Sequence, residues 1–329
     1  MFRLPWPTRK DVSTPVALAL QGGGAHGAYT WGVLDRLLEA GVPIEGISGT
    51  SAGAMNAVAL AEGWTTGGAE GARAALDRFW TAVGDSVPFH LELLQSLSPS
   101  GDGSLPSPMN MMLGLARVFS PYQLNPFELN PLRDVVRAQF DFERIRRACP
   151  LKLFIAATAV RTGKVRLFRT AELGEAALLA SACLPTLHHA VEIDGEHYWD
   201  GGYAANPPVL PLVERTDCAD IVIVQVDPVR IKALPTSAQA IRERVQVLAF
   251  NAGFLSEMHE VAARGDVRLH VIEAAAAMAR LGAASKLDAD AAVLQRLLAL
   301  GRQRTRLFLA KHKDALGKRS SLDVAARFL

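Results

Sequence analysis

The most constraining feature of the sequence lies near its start, where a short apolar run meets a cluster of glycines. Residues 15–20 (PVALAL) carry no helical stripe and are typical of a strand buried on both faces of a sheet. Residues 27–40 place apolar side chains at helical spacing and precede Gly41, a suitable helix C-terminal residue. Residues 44–48 predict a second strand, and residues 52–61 a helix of small residues. This strand–helix–strand–helix order predicts a mainly parallel α/β sheet.

Later segments extend this sheet and supply helices to cover it. The dipeptide Asp194-Gly195 separates two short apolar runs and predicts a two-residue hairpin turn between residues 191 and 199. Further strands are expected at residues 152–160, 164–169, 220–226 and 267–272. Further helices are expected at residues 71–83, 172–182, 238–263 and 288–313.

Composition excludes several classes of protein. Half of the 329 residues are apolar and 21% are charged, so the chain buries enough surface to fold. A net charge of +2 is too small for a nucleic-acid-binding protein that works by overall charge. Three cysteines without a C-x-x-C pair argue against a disulfide scaffold or a zinc cluster. The first 15 residues lack the apolar core of a signal peptide, and no apolar run reaches membrane-spanning length, so a cytoplasmic protein is expected.

Residues 86–127 form an apolar insert with only three charges in 42 residues and many prolines. A long loop-rich insert of this kind is often functional, and one use is to cover an apolar pocket that holds an acyl chain. An irregular piece of the core is the other interpretation.

Residues 302–319 are basic, with a net charge of +6 that leaves −4 on the rest of the chain. A basic helix beside Leu307, Phe308 and Leu309 is suited to peripheral contact with an anionic inner membrane surface. A solvated helix face is the alternative interpretation of the same run.

The glycine cluster, QGGGAHG at residues 21–27, predicts a site for negative charge. Consecutive glycines between a strand and a helix allow several backbone N–H groups to point at one place near the positive end of the helix dipole. Gly22, Gly24 and Gly27 also spell the dinucleotide-binding pattern G-x-G-x-x-G. That pattern needs an acidic residue at the end of the second strand, whereas Glu45 lies at its start. The nucleotide interpretation is therefore weak.

The end of the second strand instead carries G-x-S-x-G, at Gly49-Thr50-Ser51-Ala52-Gly53. A nucleophile elbow places its serine on a tight strand-to-helix turn, and glycines two residues before and after relieve the clash between strand and helix. The motif is common by chance as a string, but its position between a predicted strand and a predicted helix makes Ser51 a candidate nucleophile.

A catalytic serine needs a base, and Asp200 is a better candidate than the late histidines. His259 and His312 fall in predicted helices and His270 in a predicted strand, so none has the loop setting of a triad histidine. Asp200 follows an apolar hairpin and precedes Gly201 and Gly202. A desolvated carboxylate holds a proton more tightly and can act as a base towards a serine hydroxyl. An ordinary Asp-Gly turn is the alternative.

Together, GGGAHGAYTWGVL, GTSAG and DGG, in this order and spacing, resemble the patatin-like phospholipase family of serine acyl hydrolases. The similarity extends from about residue 15 to residue 208. The resemblance implies a three-layer α/β/α sandwich and catalysis by a Ser-Asp dyad through an acyl-enzyme. It makes Ser51 the nucleophile, Asp200 the base and the amides around Gly22, Gly23 and Gly24 the oxyanion hole.

The chain departs from the family at His26, where many members carry arginine, and we expect His26 to orient the loop without acting in catalysis. No cofactor or metal is expected, since no acidic or histidine cluster has ligand spacing. A lipid or another acyl ester is the expected substrate. The alternatives are an esterase or thioesterase acting on soluble acyl substrates or storage polyester, and a catalytically idle lipid-binding regulatory protein.

The predicted organisation is one catalytic domain at residues 15–280 with flanking extensions. Residues 1–14 form the N-terminal extension, and residues 281–329 form a basic helical extension. One domain is expected because the loop, the serine and the aspartate must converge although they span residues 22–200.

Overall fold

The computed structural model describes residues 14–96, 118–231, 233–278, 280, 281 and 284–328. Most of the expected N-terminal extension and residues 97–117 of the apolar insert therefore lie outside the described residues.

Within the described residues, eight strands form one mixed sheet, in the order β5-β6-β3-β2-β1-β7-β8 with β4 paired to β3. The central strands are parallel, and β4, β5 and β6 are antiparallel to their neighbours. The strands are β1 Val16–Leu20, β2 Ile44–Thr50, β3 Lys152–Ala159, β4 Val165–Arg169, β5 Val191–Ile193, β6 Glu196–Asp200, β7 Asp220–Gln225 and β8 Arg268–Glu273. All the expected strands are present, with ends shifted by one or two residues.

The described helices, in chain order, are α1 Gly27–Glu39, α2 Ala52–Ser96, α3 Pro121–Leu124, α4 Pro131–Gln139, α5 Phe142–Ala148, α6 Glu175–Ser181, α7 Leu210–Arg215, α8 Ala238–Arg264, α9 Ala275–Met278, α10 Ala291–His312 and α11 Val324–Phe328. The helix expected at residues 52–61 is longer, because it continues through a kink at Gly67 and Gly68 into the helix expected at residues 71–83. Short 3₁₀ turns include Gly24–His26, Gly201–Tyr203 and Ala284–Leu287.

The central strand β1 separates two apolar cores, as its alternating side chains require. Val16, Leu18 and Leu20 lie in the larger core, with α1, α2 and α10. Ala17 and Ala19 point to the other face, where they join a smaller core with α7, α8 and α11. The result is a three-layer α/β/α arrangement, which confirms the expected fold class.

The hairpin before Asp200 forms at the expected dipeptide. Asp194 and Gly195 have φ angles of 51° and 78°. Positive φ at both central residues is the geometry of a type I′ turn, which matches the twist of the two strands it joins.

The basic C-terminal helix α10 packs into the larger core. It lies against α1 so closely that a Cβ added at Gly301 would collide with the Tyr29 carbonyl oxygen. Its Phe308 and Leu309 are buried, and Arg302 forms ion pairs with two acidic residues of α1, Asp35 and Glu39.

We expect Gly301→Ala to destabilise the protein by about 1–3 kcal/mol, because the added methyl group would force the backbones of α1 and α10 apart. Alanine normally stabilises a helix interior relative to glycine, so a loss of stability in Gly301→Ala would point to the close contact between the helices. Urea unfolding followed by circular dichroism measures it.

Gly84→Ala in α2 is the matched control, since an added Cβ there would meet its nearest neighbour at an ordinary 3.4 Å. We expect this variant to be as stable as the wild type or slightly more so. An equal gain in stability for both variants would contradict the close helix contact.

Candidate active site

Ser51 lies on a strained turn between β2 and α2. Its φ angle is 55°, which is uncommon for a residue with a side chain. A Cβ at Gly49 would lie 2.7 Å from the Gly53 carbonyl carbon, and a Cβ at Gly53 would collide with the Leu20 carbonyl oxygen. Both glycines are therefore required by the close approach of α2 to the strand ends. This turn has the geometry expected of a nucleophile elbow.

Two hydrogen bonds between the motif and residues outside it fix the elbow. Ser51 N–H donates to the Ser181 hydroxyl at 3.0 Å, and Ser181 is fully buried at the end of α6. The Thr50 hydroxyl donates to the Ala205 carbonyl at 2.6 Å. The sequence analysis did not identify Ser181, and its only sequence signal is a serine among apolar residues at the end of a predicted helix.

Strand register brings Asp200 next to the elbow. β3 pairs with β2 up to Thr50↔Ala156, and its next residue, Ala157, pairs with Asp200 at the end of β6. The last residue of β2 and the last residue of β6 therefore face consecutive positions of one strand. Ser51, which follows Thr50, thereby lies beside the aspartate although 149 positions of sequence separate them.

The backbone and one oxygen of Asp200 are held by hydrogen bonds. Its N–H donates to the Cys183 carbonyl, and its carbonyl accepts from the Thr158 hydroxyl, both at 2.8 Å. The Gly202 N–H donates to Oδ1 at 2.7 Å. Oδ2 is buried and has no hydrogen-bond partner of good geometry among the described residues.

Burial raises the pKa of the Asp200 carboxyl to about 7. The Gly202 N–H, the nearby Ser51 hydroxyl and the charge of Lys286 each oppose part of this rise, because they favour the ionised form. Near neutral pH the carboxyl therefore exists in both protonation states. A group with this proton affinity can both accept and return a proton.

The glycine loop lies against the serine, but its first amide is already engaged. A Cβ on Gly22 would lie 2.9 Å from the Ser51 Cβ, so only glycine fits between the loop and the elbow. Gly22 N–H donates to Asn206 Oδ1 at 2.7 Å. The Gly22 amide is thus engaged by Asn206, and the assignment of the three glycines to an oxyanion hole stays a prediction.

Gln21 and Asn206, both missed in the sequence analysis, join the loop to the rest of the sheet edge. Gln21 Oε1 accepts from the N–H groups of Val226 and Asp227 at 2.8 Å, and its Nε2 donates to Asn251 Oδ1 at 2.9 Å. Asn206 is almost fully buried, and its Nδ2 has no partner among the described residues. An unpaired buried donor this close to Gly22 marks Asn206 as part of the site.

His26 is neutral and serves as a contact between the loop and the turn Ala284–Leu287. Its Nε2 lies 2.7 Å from the Ser285 hydroxyl. Burial and the charge of Lys286 lower its pKa to about 4, although Asp227 opposes the change. A neutral imidazole in this position supplies no charge to the loop, and the orienting role of His26 stays a prediction.

Lys286 places a positive charge next to the loop. Its Nζ lies 2.7 Å from Asp227 Oδ2, and its carbonyl occupies the space that a Cβ on Gly24 would fill. Gly24 also has a φ angle of 59°, so glycine is required there for two reasons. This turn lies beyond residue 280, the predicted end of the catalytic domain.

The late histidines have other partners. His270 bonds to Asp220 and Ser321, each at 2.9 Å, near the opposite end of the strands from Ser51. His259 lies 2.8 Å from the Leu255 carbonyl in its own helix. In the part of the chain that the structure describes, no group of three or more His, Cys, Asp or Glu could hold a metal ion.

Comparison with known proteins places the site within a sequence family. The model of the patatin-like phospholipase family matches residues 18–213, more than half of the chain. A search of curated proteins gave no significant match.

Two solved structures share a distant overall likeness with the chain. VipD from Legionella pneumophila is 15% identical with a TM-score of 0.46, and the alignment covers 90% of this chain and 67% of VipD. ExoU, in its complex with SpcU from Pseudomonas aeruginosa, is 17% identical with a TM-score of 0.34 over 87% of this chain. The chain spans about half (53%) of the length of ExoU.

We expect Asp200→Asn to become more stable relative to the wild type as the pH rises from 5 to 8. The folded wild type holds a proton up to about pH 7, whereas an unfolded Asp releases it near pH 4. The free energy of unfolding of the wild type therefore falls as the pH rises from about 4 to about 7, whereas that of Asp200→Asn does not. The stability difference between the two proteins should change by on the order of a few kcal/mol. Urea unfolding at both pH values measures this change.

Asp266→Asn is the control, because Asp266 is exposed and its replacement should have the same effect at both pH values. A pH-independent difference between wild type and Asp200→Asn would show that the folded protein does not raise the pKa of this carboxyl.

Proposed function

The chain belongs to the patatin-like phospholipase family, and from that premise we propose that it hydrolyses carboxylic esters of lipids with Ser51 as nucleophile and Asp200 as base. The family match supports a lipid acyl hydrolase at the coarse level. The dyad and the individual roles below are our assignments.

The observation that carries the proposal is the pairing of a strained serine with a fully buried carboxylate. Asp200 has a pKa of about 7, and its Oδ2 has no partner of good geometry among the described residues. Such an oxygen is available to take the serine proton. His259 and His270 are engaged with other residues, and a carboxylate base serves the serine without a third member.

In the first half-reaction, the Ser51 Oγ attacks the ester carbonyl while Asp200 accepts the hydroxyl proton. The tetrahedral intermediate then expels the alcohol, which takes the proton from Asp200, and the acyl group remains on Ser51. In the second half-reaction water attacks the acyl-enzyme and gives its proton to Asp200. Collapse returns that proton to Ser51 and releases the carboxylic acid.

The negative oxygen of each intermediate needs donors that are already oriented. We assign the N–H groups of Gly23 and Gly24, close to the start of α1, to this role. The first residue of α2 follows Ser51 directly, so the positive end of a second helix dipole also faces the reacting atoms. Asn206 holds Gly22 in place and thereby aligns the next two amides.

The substrate class follows from the family and from the apolar character of the insert at residues 86–127. We propose that the described part of this insert contacts the acyl chain, since it exposes Phe119, Tyr122 and Phe127, and Tyr122 stacks on His189. Hydrolysis of soluble esters or thioesters would use the same groups and stays an alternative that substrate profiling across p-nitrophenyl esters and phospholipids separates.

Ser51 should be the residue that reacts with a fluorophosphonate ester, as detected by mass spectrometry of the folded protein. Ser51→Ala should abolish labelling and ester turnover, and Asp200→Asn should lower turnover by about 10²–10⁴-fold, because proton transfer is lost. His26→Ala should lower ester turnover less than either substitution, since we assign the His26 ring only to orienting the loop. Unlabelled Ser51 in folded protein would overturn the proposal and favour an idle lipid-binding protein.

The pH dependence of kcat/KM for p-nitrophenyl butyrate should rise with a midpoint near pH 7 and level off above it, because only ionised Asp200 accepts a proton. Two other groups near the carboxylate, Cys183 and Tyr203, stay neutral in this range because burial raises their pKa values.

Lys286→Met should move this midpoint upward, since it removes a positive charge and leaves Asp227 unpaired. Lys286→Arg is the matched control and should keep the midpoint of the wild type. A midpoint unchanged in Lys286→Met would exclude electrostatic coupling between Lys286 and the proposed base.

A further inference from the structure

Exposed apolar side chains are concentrated in two segments of the described chain. Of 15 large hydrophobic residues that are exposed, 12 lie at residues 118–129, at Tyr203 or at residues 231–248. The other three are Val165, Leu281 and Leu307. Scattered exposed apolar residues are ordinary, but a concentration of this kind marks an interaction surface.

The second segment includes one face of the first half of α8. Ile241, Val245 and Leu248 are 46%, 59% and 50% exposed, and their spacing of four and three residues places them on one side of the helix. Leu234, which precedes the helix, is also exposed. We call Ile241, Val245 and Leu248 the α8 stripe.

The α8 stripe lies beyond the edge of the sheet that carries the proposed catalytic residues. Helix α8 runs back from the carboxyl end of β7 to the amino end of β8, so it is antiparallel to both strands. Its Asn251 meets Gln21, at the carboxyl end of β1. The 13 helical residues before Asn251 therefore project about 20 Å past this edge, at 1.5 Å per residue.

The base of this projecting helix contacts the turn that holds Asp200. The Phe250 ring lies against Gly202 and packs edge-on against Tyr203, with ring centroids 4.7 Å apart. Tyr203 is itself partly exposed. The α8 stripe lies on the opposite face of the same helix, since Phe250 follows Leu248 by two residues.

The segment 118–129 is linked to the same aspartate through other residues. Tyr122 stacks on His189 at 4.1 Å, and the His189 carbonyl accepts from the Cys183 thiol at 3.0 Å. The Cys183 carbonyl in turn accepts the N–H of Asp200. Both α8 and the segment 118–129 are therefore connected to the proposed base through short series of contacts.

The charges beside the α8 stripe are mainly positive. Arg230 and Arg242 are exposed, whereas Glu243 is half-buried and accepts a hydrogen bond from Gln239. No hydrogen bond or ion pair of the Arg242 side chain is found within the described residues. Arg230 donates to the Ala326 carbonyl and remains exposed. Exposed apolar side chains can insert into a lipid surface, and exposed arginines beside them are attracted to anionic lipid.

We propose that the α8 stripe, with the apolar residues at 118–129, docks the protein on an anionic lipid surface with the Ser51–Asp200 site facing the lipid. This inference rests on the proposed function, from which it takes a lipid ester as the substrate. It places the membrane contact at the site itself and not on the C-terminal helix, whose Phe308 and Leu309 are buried.

The test compares two triple variants in co-sedimentation with vesicles of phosphatidylcholine and phosphatidylglycerol. Ile241→Ser, Val245→Ser and Leu248→Ser together should lower vesicle binding at least tenfold. Val165→Ser, Leu281→Ser and Leu307→Ser together are the matched control and should bind as the wild type does. Arg242→Gln should weaken binding to these vesicles but not to phosphatidylcholine alone.

Two measurements separate docking from folding and from catalysis. The stripe variant should hydrolyse monomeric p-nitrophenyl butyrate within twofold of the wild-type rate, and Ser51→Ala should bind vesicles normally. Leu248→Trp should show a blue-shifted emission with vesicles that is quenched by brominated lipid, as an inserted side chain requires.

Equal vesicle binding by the stripe variant and the wild type would overturn the proposal, as would no binding by the wild type. A wild-type dimer that becomes a monomer in the stripe variant, measured by light scattering, would also overturn it, because the stripe would then contact a second copy. Failure of Ser51 to react with a fluorophosphonate would contradict the proposed catalysis without affecting these binding results.

Discussion

The proposed chemistry of the site depends on the burial of the Asp200 carboxyl, which sets its proton affinity. An ionised carboxylate removed from water is unfavourable, and here one N–H bond and the nearby serine hydroxyl recover only part of the lost hydration. The fold holds the carboxyl in this position through hydrogen bonds to the backbone of Asp200. Its N–H donates to the Cys183 carbonyl, and its carbonyl accepts from the Thr158 hydroxyl. A carboxyl with more bonds to its oxygens would be more stable and a weaker base.

The same edge of the sheet depends on side chains from distant parts of the chain. Gln21 and Asn206 fix the glycine loop from within residues 18–213, the span of the family match. Ser285 and Lys286 contact the loop from outside that span. Since α10 also packs directly on α1, the C-terminal region contributes both to the core and to the loop that we assign to the oxyanion. The family segment alone therefore lacks contacts that this chain uses to hold its site.

The sequence predicts the parts of the site that depend on local patterns. An apolar strand that runs into GTSAG places Ser51 on a strand-to-helix turn, and a hairpin dipeptide followed by DGG places Asp200 at a strand end. Ser181, Asn206 and Ser285 were missed because each acts through a partner at least 130 positions away, and no local periodicity marks such a pair. The occupied amide of Gly22 was missed for the same reason, since only the folded chain brings Asn206 to it. Gln21 is the exception in its position, because it lies directly before the glycine motif and its place in the sequence is a local signal.

The replacement of arginine by histidine in the loop acquires a physical meaning from these contacts. His26 is neutral over the range in which Asp200 titrates, because burial and Lys286 lower its pKa to about 4. A cation is still present beside the loop, but it belongs to Lys286 and is paired with Asp227. The pair keeps the local charge close to balanced, and Lys286 lies near enough to oppose the rise in the pKa of Asp200. An arginine at position 26 would add a second, uncompensated charge in a buried setting, which would favour ionised Asp200 and make it a weaker base.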